Sequence, residues 1–111
     1  MNEIATFVER LQLESGLMSV QEYINKFRLA SKNRERYVCT HRQYLMYIIR
    51  IKTYLSGVSL SQIGRMFNRD HATVIHAIKC INSMKETNDF VLKDIQREYD
   101  HMIHKINFES I

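Results

Sequence analysis

Turn-forming residues and cysteine are scarce in this sequence. It has no proline, three glycines (Gly16, Gly57 and Gly64) and two cysteines. Because glycine and proline form most tight turns, their scarcity argues against a fold of many short strands and favours helices. Two cysteines make no disulfide framework, which indicates a reducing, cytoplasmic environment. No apolar run is long enough to span a bilayer and no signal-peptide pattern opens the chain, so we expect no membrane contact.

Acidic residues are nearly missing from the middle of the chain. Residues 32–79 hold nine lysines and arginines against two acidic residues, a balance of +7, whereas residues 1–31 balance at −1 and residues 80–111 at −2. All the excess positive charge therefore lies in one segment. Such a distribution predicts a polyanionic partner, with a solvated basic surface as the alternative.

Apolar residues recur at three- and four-residue steps along most of the chain, which predicts an all-α protein with about six helices. We divide the chain into an N-terminal extension over residues 1–18, with a helical pattern of its own, and one domain over residues 19–111. The apolar positions of the extension could pack on the domain or on a second copy of the chain. A homodimer is therefore left open.

Capping residues predict where the first two helices of the domain begin. Ser19 is expected to cap a helix that runs through Ala30, with Glu22 completing a capping box, and Thr40 is expected to cap the next helix. Four tyrosines have core-like helical spacing, and we interpret them as core residues rather than as a platform for stacked bases. They are Tyr37, Tyr44, Tyr47 and Tyr54.

Two short helical segments joined by a tight turn lie within the basic segment. The first is LSQIGRMF (60–67), and the second, RDHATVIHAIKCI (69–81), starts its apolar stripe just after Asp70. This is the helix-turn-helix arrangement, in which Gly64 would allow the two helices to approach closely. The second helix of such a motif places its first turn against base edges in the major groove. Here that turn consists of Asp70, His71, Ala72 and Thr73.

Other kinds of site compete for the same segment. Asp70 could serve only as a helix N-cap, a position that favours aspartate without any ligand. His76 and Cys80 lie four residues apart and could share a metal if Cys39 joined them, but two ligands are too few, and we expect neither a metal site nor another cofactor. The sequence suggests no Ser/His/Asp arrangement, so we expect no enzymatic activity.

The stretch from about Ser31 to Met84 resembles the C-terminal DNA-binding domain of the bacterial replication initiator DnaA. The resemblance rests on RERYV (34–38), on HRQYLMY (41–47) and on the two helix-turn-helix segments, of which the second is similar to the family signature. It implies a Trp-repressor-like fold and double-stranded DNA as the partner, with sites like the DnaA box. The Gly-rich phosphate loop of the family's ATPase domain is missing from these 111 residues, so we expect no nucleotide binding.

The resemblance also implies roles by position. Arg34 matches an arginine that enters the minor groove, and Ser61 lies where family members approach a thymine methyl group. The four residues of the second helix's first turn match positions that touch the major groove, although Ala72 stands where the family often has threonine. His41 replaces a common proline. The other positions expected to contact DNA, chiefly its phosphates, are Arg36, Arg42, Gln43, Lys52 and Arg69.

Together these observations predict a cytoplasmic, nucleoid-associated regulator of replication or transcription that binds double-stranded DNA sequence-specifically and has no ATPase activity. The alternative is an interaction protein that keeps the fold and works through its acidic end helices. Replacing Arg34 and His71 by alanine distinguishes the two, because only DNA binding requires these side chains.

Overall fold

Five helices follow one another along residues 17–111, the part of the chain that the computed structural model describes. They are α1 (Val20–Lys26), α2 (Arg36–Thr53), α3 (Leu60–Met66), α4 (His71–Glu86) and α5 (Phe90–Met102). The all-α prediction is confirmed. Of the six helices expected, the one within residues 1–16 lies outside the described residues, and the other five are present.

Short turns and one small bridge complete the described chain. Single 3₁₀ turns occupy Tyr54–Ser56, Ile103–Lys105 and Phe108–Ser110. Two-residue strands, β1 (Met18–Ser19) and β2 (Ile106–Asn107), pair in parallel. The Val20 N–H also donates to the Ser110 hydroxyl at 3.1 Å. The last residues of the chain therefore lie against the start of α1.

The core is organised around α2, which packs against α3, α4 and α5. Each of these partners buries one face, as the helical spacing predicts. The buried residues are Ile63 and Phe67 at α3, Val74, Ala77 and Ile81 of α4, and Leu92, Ile95 and Tyr99 of α5. Because each large aliphatic side chain that is fully buried contributes about 1.5–3 kcal/mol, this packing holds α3 and α4 firmly on α2.

The four tyrosines expected in the core divide into two groups. Tyr44 is buried and Tyr47 is half-buried, as predicted. Tyr37 and Tyr54 are 37% and 64% exposed, so the prediction is wrong for both. Tyr37 lies in the first turn of α2 and donates a hydrogen bond to the Glu98 carboxylate. Tyr54 follows the end of α2, where the helical period no longer applies.

The first helix of the domain starts as predicted but is shorter. Ser19 caps α1, because its hydroxyl oxygen accepts a bond from the Glu22 N–H at 3.0 Å. The helix then ends at Lys26 rather than at Ala30. Arg28 takes the left-handed conformation, with φ 54°, and turns the chain away from the helix axis.

The same type of helix ending occurs three times and explains how the chain turns with so little glycine. Asn68 after α3 and Asn88 after α4 are left-handed as well, with φ of 57° and 55°. In each case the next residue's N–H donates to a carbonyl five positions earlier, which is the Schellman motif. Asparagine tolerates this conformation better than most residues, and arginine does not share that tolerance.

Arg28→Gly is expected to stabilise the protein by about 0.5–1 kcal/mol. The left-handed conformation costs an L-residue about 1–2 kcal/mol, and the larger unfolded-state entropy of glycine cancels part of the gain. Urea denaturation measures the difference. Asn88→Gly is the matched control and should gain less, since asparagine carries less strain there. A loss of stability in Arg28→Gly would contradict this explanation.

The second helix begins earlier than predicted. Its first residue is Arg36, so Thr40 is a buried residue within α2 and not its cap. The loop before it explains the difference. The Asn33 side chain accepts a bond from the Glu35 N–H at 2.8 Å, which turns the chain into the helix before Thr40 is reached.

Candidate nucleic-acid interface

The turn between α3 and α4 is so tight that only glycine fits at position 64. A Cβ atom on Gly64 would lie 2.5 Å from the carbonyl oxygen of Arg69 and 2.9 Å from that of Asp70. The Arg69 N–H also donates to the Gly64 carbonyl at 2.8 Å. The predicted close approach of the two helices is confirmed. Backbone contacts therefore determine the direction of α4 relative to α3.

The start of α3 is closed by a reciprocal pair of bonds. The Gln62 N–H donates to the Ser59 hydroxyl at 3.1 Å, and the Ser59 N–H donates to the Gln62 side-chain oxygen at 2.8 Å. This capping box orders the first turn of α3. Ser61 lies in that turn and is exposed.

The first turn of α4, which we call the α4 tip (residues 70–73), combines a cap with an exposed polar surface. The Asp70 Oδ1 accepts from both the N–H and the hydroxyl of Thr73, each at 2.9 Å. These bonds from Thr73 lower the pKa of the Asp70 carboxyl, so it is ionised at neutral pH. Asp70 is thus an N-cap, and its exposure leaves it accessible to an outside donor. His71 and Ala72 are exposed beside it.

The exposed face of α4 continues beyond its tip. Three further exposed side chains follow Ala72 at helical spacing, while the opposite face is buried in the core. They are Ile75, His76 and Lys79. None of them was among the predicted contact residues, although the spacing from Ala72 identifies them as candidates.

We call the loop before α2 the basic loop (residues 31–35). It presents Arg34 to solvent, and Arg42 of α2 is hydrogen-bonded to its backbone. Arg34 is exposed. Arg42 is only 7% exposed. Its Nε donates to the Leu29 carbonyl, and its Nη2 donates to the carbonyls of Ser31 at 2.9 Å and Asn33 at 3.2 Å. The donors of Arg42 are therefore engaged inside the protein, where they order the loop that carries Arg34.

Arg69 is also engaged within the protein. Its Nη1 donates to the Phe67 carbonyl at 2.9 Å and to the Asn68 carbonyl at 3.3 Å, and its Nη2 donates to the Ser31 carbonyl at 2.8 Å. Burial and the neighbouring charge of Arg42 lower the pKa of Arg69. The structure thus brings together two of the predicted phosphate contacts, Arg42 and Arg69, at a single carbonyl.

The remaining predicted contacts are spread along α2. Arg36, in the first turn, forms an ion pair with Asp89, the cap of α5. Gln43 is half-buried. Lys52 is exposed near the end of α2, with its Nζ 6.0 Å from the centre of the Phe108 ring. Sixteen helical positions separate Arg36 from Lys52, about 24 Å at 1.5 Å per residue, so these side chains cannot share one contact.

Of the competing kinds of site, the N-cap at Asp70 is present, whereas the metal site at His76 and Cys80 is incomplete within residues 17–111. His76 and Cys80 are neighbours, with 3.2 Å between Nε2 and Sγ. No third potential ligand completes a metal-binding group with them in this part of the chain. Over the same residues, no helix is long and apolar enough to cross a membrane.

A glycine-dependent turn, a capped second helix with an exposed polar first turn, and a basic loop define a DNA-binding domain of the helix-turn-helix class. A family model described as the bacterial dnaA protein helix-turn-helix matches residues 20–81, from the start of α1 into α4. This match covers more than half of the chain, so the protein belongs to that family. The resemblance to the DnaA C-terminal domain is confirmed.

Three chromosomal replication initiator proteins DnaA illustrate the similarity. The protein of Zymomonas mobilis is 39% identical over 69 residues, 61% of this chain, and that of Desulfotalea psychrophila is 40% identical over 65 residues, 59% of this chain. The Francisella tularensis protein is 35% identical over 80 residues, 71% of this chain. The chain spans 13–15% of the length of these relatives. No solved structure matches the chain significantly.

Proposed function

We propose that this protein binds double-stranded DNA at specific sites of the DnaA-box kind and thereby regulates replication or transcription. The observation that carries the proposal is the α4 tip. It holds an ionised carboxylate, an imidazole and a small side chain, all exposed at the start of a helix whose direction is fixed by the turn at Gly64. Base edges in the major groove are read by side chains placed in this way.

The chemistry of the α4 tip suggests which bases it reads. A carboxylate accepts hydrogen bonds only, and the cytosine N4 amine is a donor that it can meet in the major groove. Asp70 is therefore proposed to face a cytosine. The methyl group of Ala72 suits contact with a thymine methyl group, and His71 can exchange a hydrogen bond with a base or a phosphate.

The basic loop provides the second proposed contact. Arg34 is exposed in a segment without a helix or strand, so it can extend into a narrow minor groove, where A·T-rich DNA has enhanced negative potential. Arg36, Gln43 and Lys52 are proposed to approach phosphates. Such contacts position the protein on DNA without reading its sequence.

The regulatory part of the proposal rests on the relatives. They are named chromosomal replication initiators, and the 111 residues of this chain hold no Gly-rich phosphate loop. We therefore propose that this chain is a cytoplasmic, nucleoid-associated protein that binds DnaA-like sites. Its binding would not require ATP hydrolysis.

Fluorescence anisotropy with a labelled DnaA-box duplex and a shuffled duplex, each over a salt series, tests the proposal. The protein is expected to bind the box duplex at least about 10³-fold more tightly than the shuffled duplex. A plot of log affinity against log salt concentration should fall with a slope of about 0.9 for each phosphate contact. Equal binding to both duplexes would contradict sequence specificity. Failure to bind either would favour the interaction-protein alternative.

Two substitutions of Asp70 separate its reading role from its capping role in the same assay. Asp70→Asn keeps a good N-cap but adds an amide donor, so we expect little change in stability and about a tenfold or greater loss of affinity for the box. Asp70→Ala removes both roles and should also destabilise the protein by about 1 kcal/mol. If Asp70→Asn bound the box like the unmodified protein, Asp70 would be a cap alone.

A further inference from the structure

Two arginines from distant parts of the chain donate to one backbone oxygen, the carbonyl of Ser31. Arg42 approaches from α2 with its Nη2 at 2.9 Å, and Arg69 approaches from the helix-turn-helix turn with its Nη2 at 2.8 Å. A carbonyl oxygen has two lone pairs and can accept both bonds. Ser31 begins the basic loop, and Arg69 directly precedes the α4 tip.

Each guanidinium is also anchored on its own side of this junction. Arg42 spans the loop by donating to the carbonyls of Leu29 and Asn33. Arg69 holds the turn by donating to the carbonyls of Phe67 and Asn68. The planar, forked arrangement of arginine donors makes such multiple bonds possible, and a lysine cannot reproduce it. The loop and the turn are therefore joined through side chains as well as through the core.

Among the residues that the structure describes, no carboxylate neutralises the charges at this junction. Within residues 17–111, neither guanidinium bonds to a carboxylate; their acceptors are backbone carbonyls, apart from a long contact between Arg42 and the Cys39 sulfur. The two cations repel each other, and this repulsion adds to the effect of burial in lowering the pKa of Arg69. Their placement is explained by geometry, since both bring carbonyls of separate segments to fixed positions.

We propose that Arg69 is a positioning residue that fixes the distance between Arg34 in the basic loop and the α4 tip. This inference rests on the proposed function, because it assigns Arg34 to the minor groove and the tip to the major groove. Two residues separate Ser31 from Arg34, and Asp70 follows Arg69 directly. The Arg69 side chain thus links the two segments that are proposed to read the two grooves. Loss of Arg69 is expected to weaken DNA binding because Arg34 is no longer held in position, and not because a phosphate contact of Arg69 itself is lost.

A double-mutant cycle distinguishes these two routes. Anisotropy with the box duplex is measured for Arg34→Ala, Arg69→Ala and the double variant. Each single change is expected to weaken binding about tenfold, and the double variant should be within about twofold of Arg34→Ala alone. Additive losses, together with a salt slope reduced by about 0.9 in Arg69→Ala, would overturn the proposal by showing a direct phosphate contact.

A minor-groove readout separates positioning from a general structural effect. Replacing adenines of the A·T flank by 2,6-diaminopurine adds an amino group to the minor groove and leaves the major-groove pattern of adenine unchanged. The unmodified protein should lose affinity for this duplex about tenfold, whereas Arg69→Ala and Arg34→Ala should respond less than twofold. A full tenfold response in Arg69→Ala would overturn the positioning role.

Two further variants make the test decisive. Arg65→Ala removes one exposed positive charge from α3 and should keep the minor-groove response. Arg69→Lys keeps the charge but not the forked bonds, so it should lose that response while retaining the salt slope, and it replaces Arg69→Ala if that variant fails to fold. If Arg34→Ala itself bound like the unmodified protein, the proposed minor-groove contact would be wrong. If only the Arg69 variants behaved normally, the positioning role alone would be wrong.

Discussion

Gly64→Ala is expected to destabilise the protein by about 2–4 kcal/mol. The added Cβ would lie 2.5 Å from the Arg69 carbonyl oxygen, and that atom belongs to the backbone and cannot rotate away. The turn would have to open, which would also stretch the bond between the Arg69 N–H and the Gly64 carbonyl. Helix propensity alone predicts the opposite sign, because alanine favours a helix interior by about 1 kcal/mol over glycine. Thermal and urea unfolding followed by circular dichroism give the result.

Gly57→Ala is the matched control for this substitution. Gly57 has φ 77°, and a Cβ there would meet nothing within 4 Å. It should therefore lose only the conformational cost of a left-handed alanine, about 1–2 kcal/mol. If Gly64→Ala were as stable as the unmodified protein, the turn would be adaptable and the orientation of α4 would not depend on Gly64.

Acidification from pH 6.5 to pH 4 is expected to remove about 3 kcal/mol of stability through a single residue, His41. His41 is 2% exposed, and its Nε2 is hydrogen-bonded to the Tyr23 hydroxyl at 2.7 Å. The Phe27 and Tyr37 rings also lie against it, at 4.9 and 5.9 Å between ring centres. Burial lowers the pKa of His41 to about 4, although the charge of Glu98 opposes the shift.

The sign of this effect follows from proton binding. Below pH 6.5 the unfolded chain takes up a proton at His41, while the folded protein resists it until the pH approaches 4. The unfolded state therefore binds more protons in this window, and stability falls as the pH falls. Above pH 6.5 the contribution of His41 is fully present.

Urea denaturation at several pH values, with His41→Gln as the test variant, measures this contribution. His41→Gln is expected to flatten the slope of stability against pH between 6.5 and 4, whatever its stability at neutral pH. His101→Gln, at an exposed position, is the matched control and should keep the slope because it keeps His41. An unchanged slope in His41→Gln would assign acid sensitivity to other groups.

The helix-turn-helix was predictable from sequence because its determinants are local. The apolar spacing of α4, the glycine of the turn and the capping preference of Asp70 each act within a few residues. The exposed tip follows from the same spacing. The core confirms the predicted buried face of α4, since Val74, Ala77 and Ile81 are buried as the apolar spacing requires.

The internal hydrogen bonds of Arg42 and Arg69 could not be predicted in this way. Their acceptors are backbone carbonyls, which every residue has and which no letter of the sequence distinguishes. In a basic segment, the sequence does not distinguish an arginine that bonds to internal carbonyls from an arginine that contacts DNA phosphates. The left-handed helix ending at Arg28 was not predicted either, because glycine is the usual sequence signal for such a turn and arginine is not.

The ion pair between Arg36 and Asp89 means that the protein carries a counter-ion for part of its own basic surface. In the proposed contact with DNA, a phosphate competes with this carboxylate for Arg36, and the carboxylate also caps α5 by accepting a bond from the Leu92 N–H at 3.1 Å. Attraction to phosphates is the same for every sequence, so under the proposed function this competition would weaken binding to random DNA and to a specific site alike. A weaker general attraction shortens the time spent on wrong sequences. Under the proposed function, Asp89 would thus help the protein to leave DNA that lacks its site.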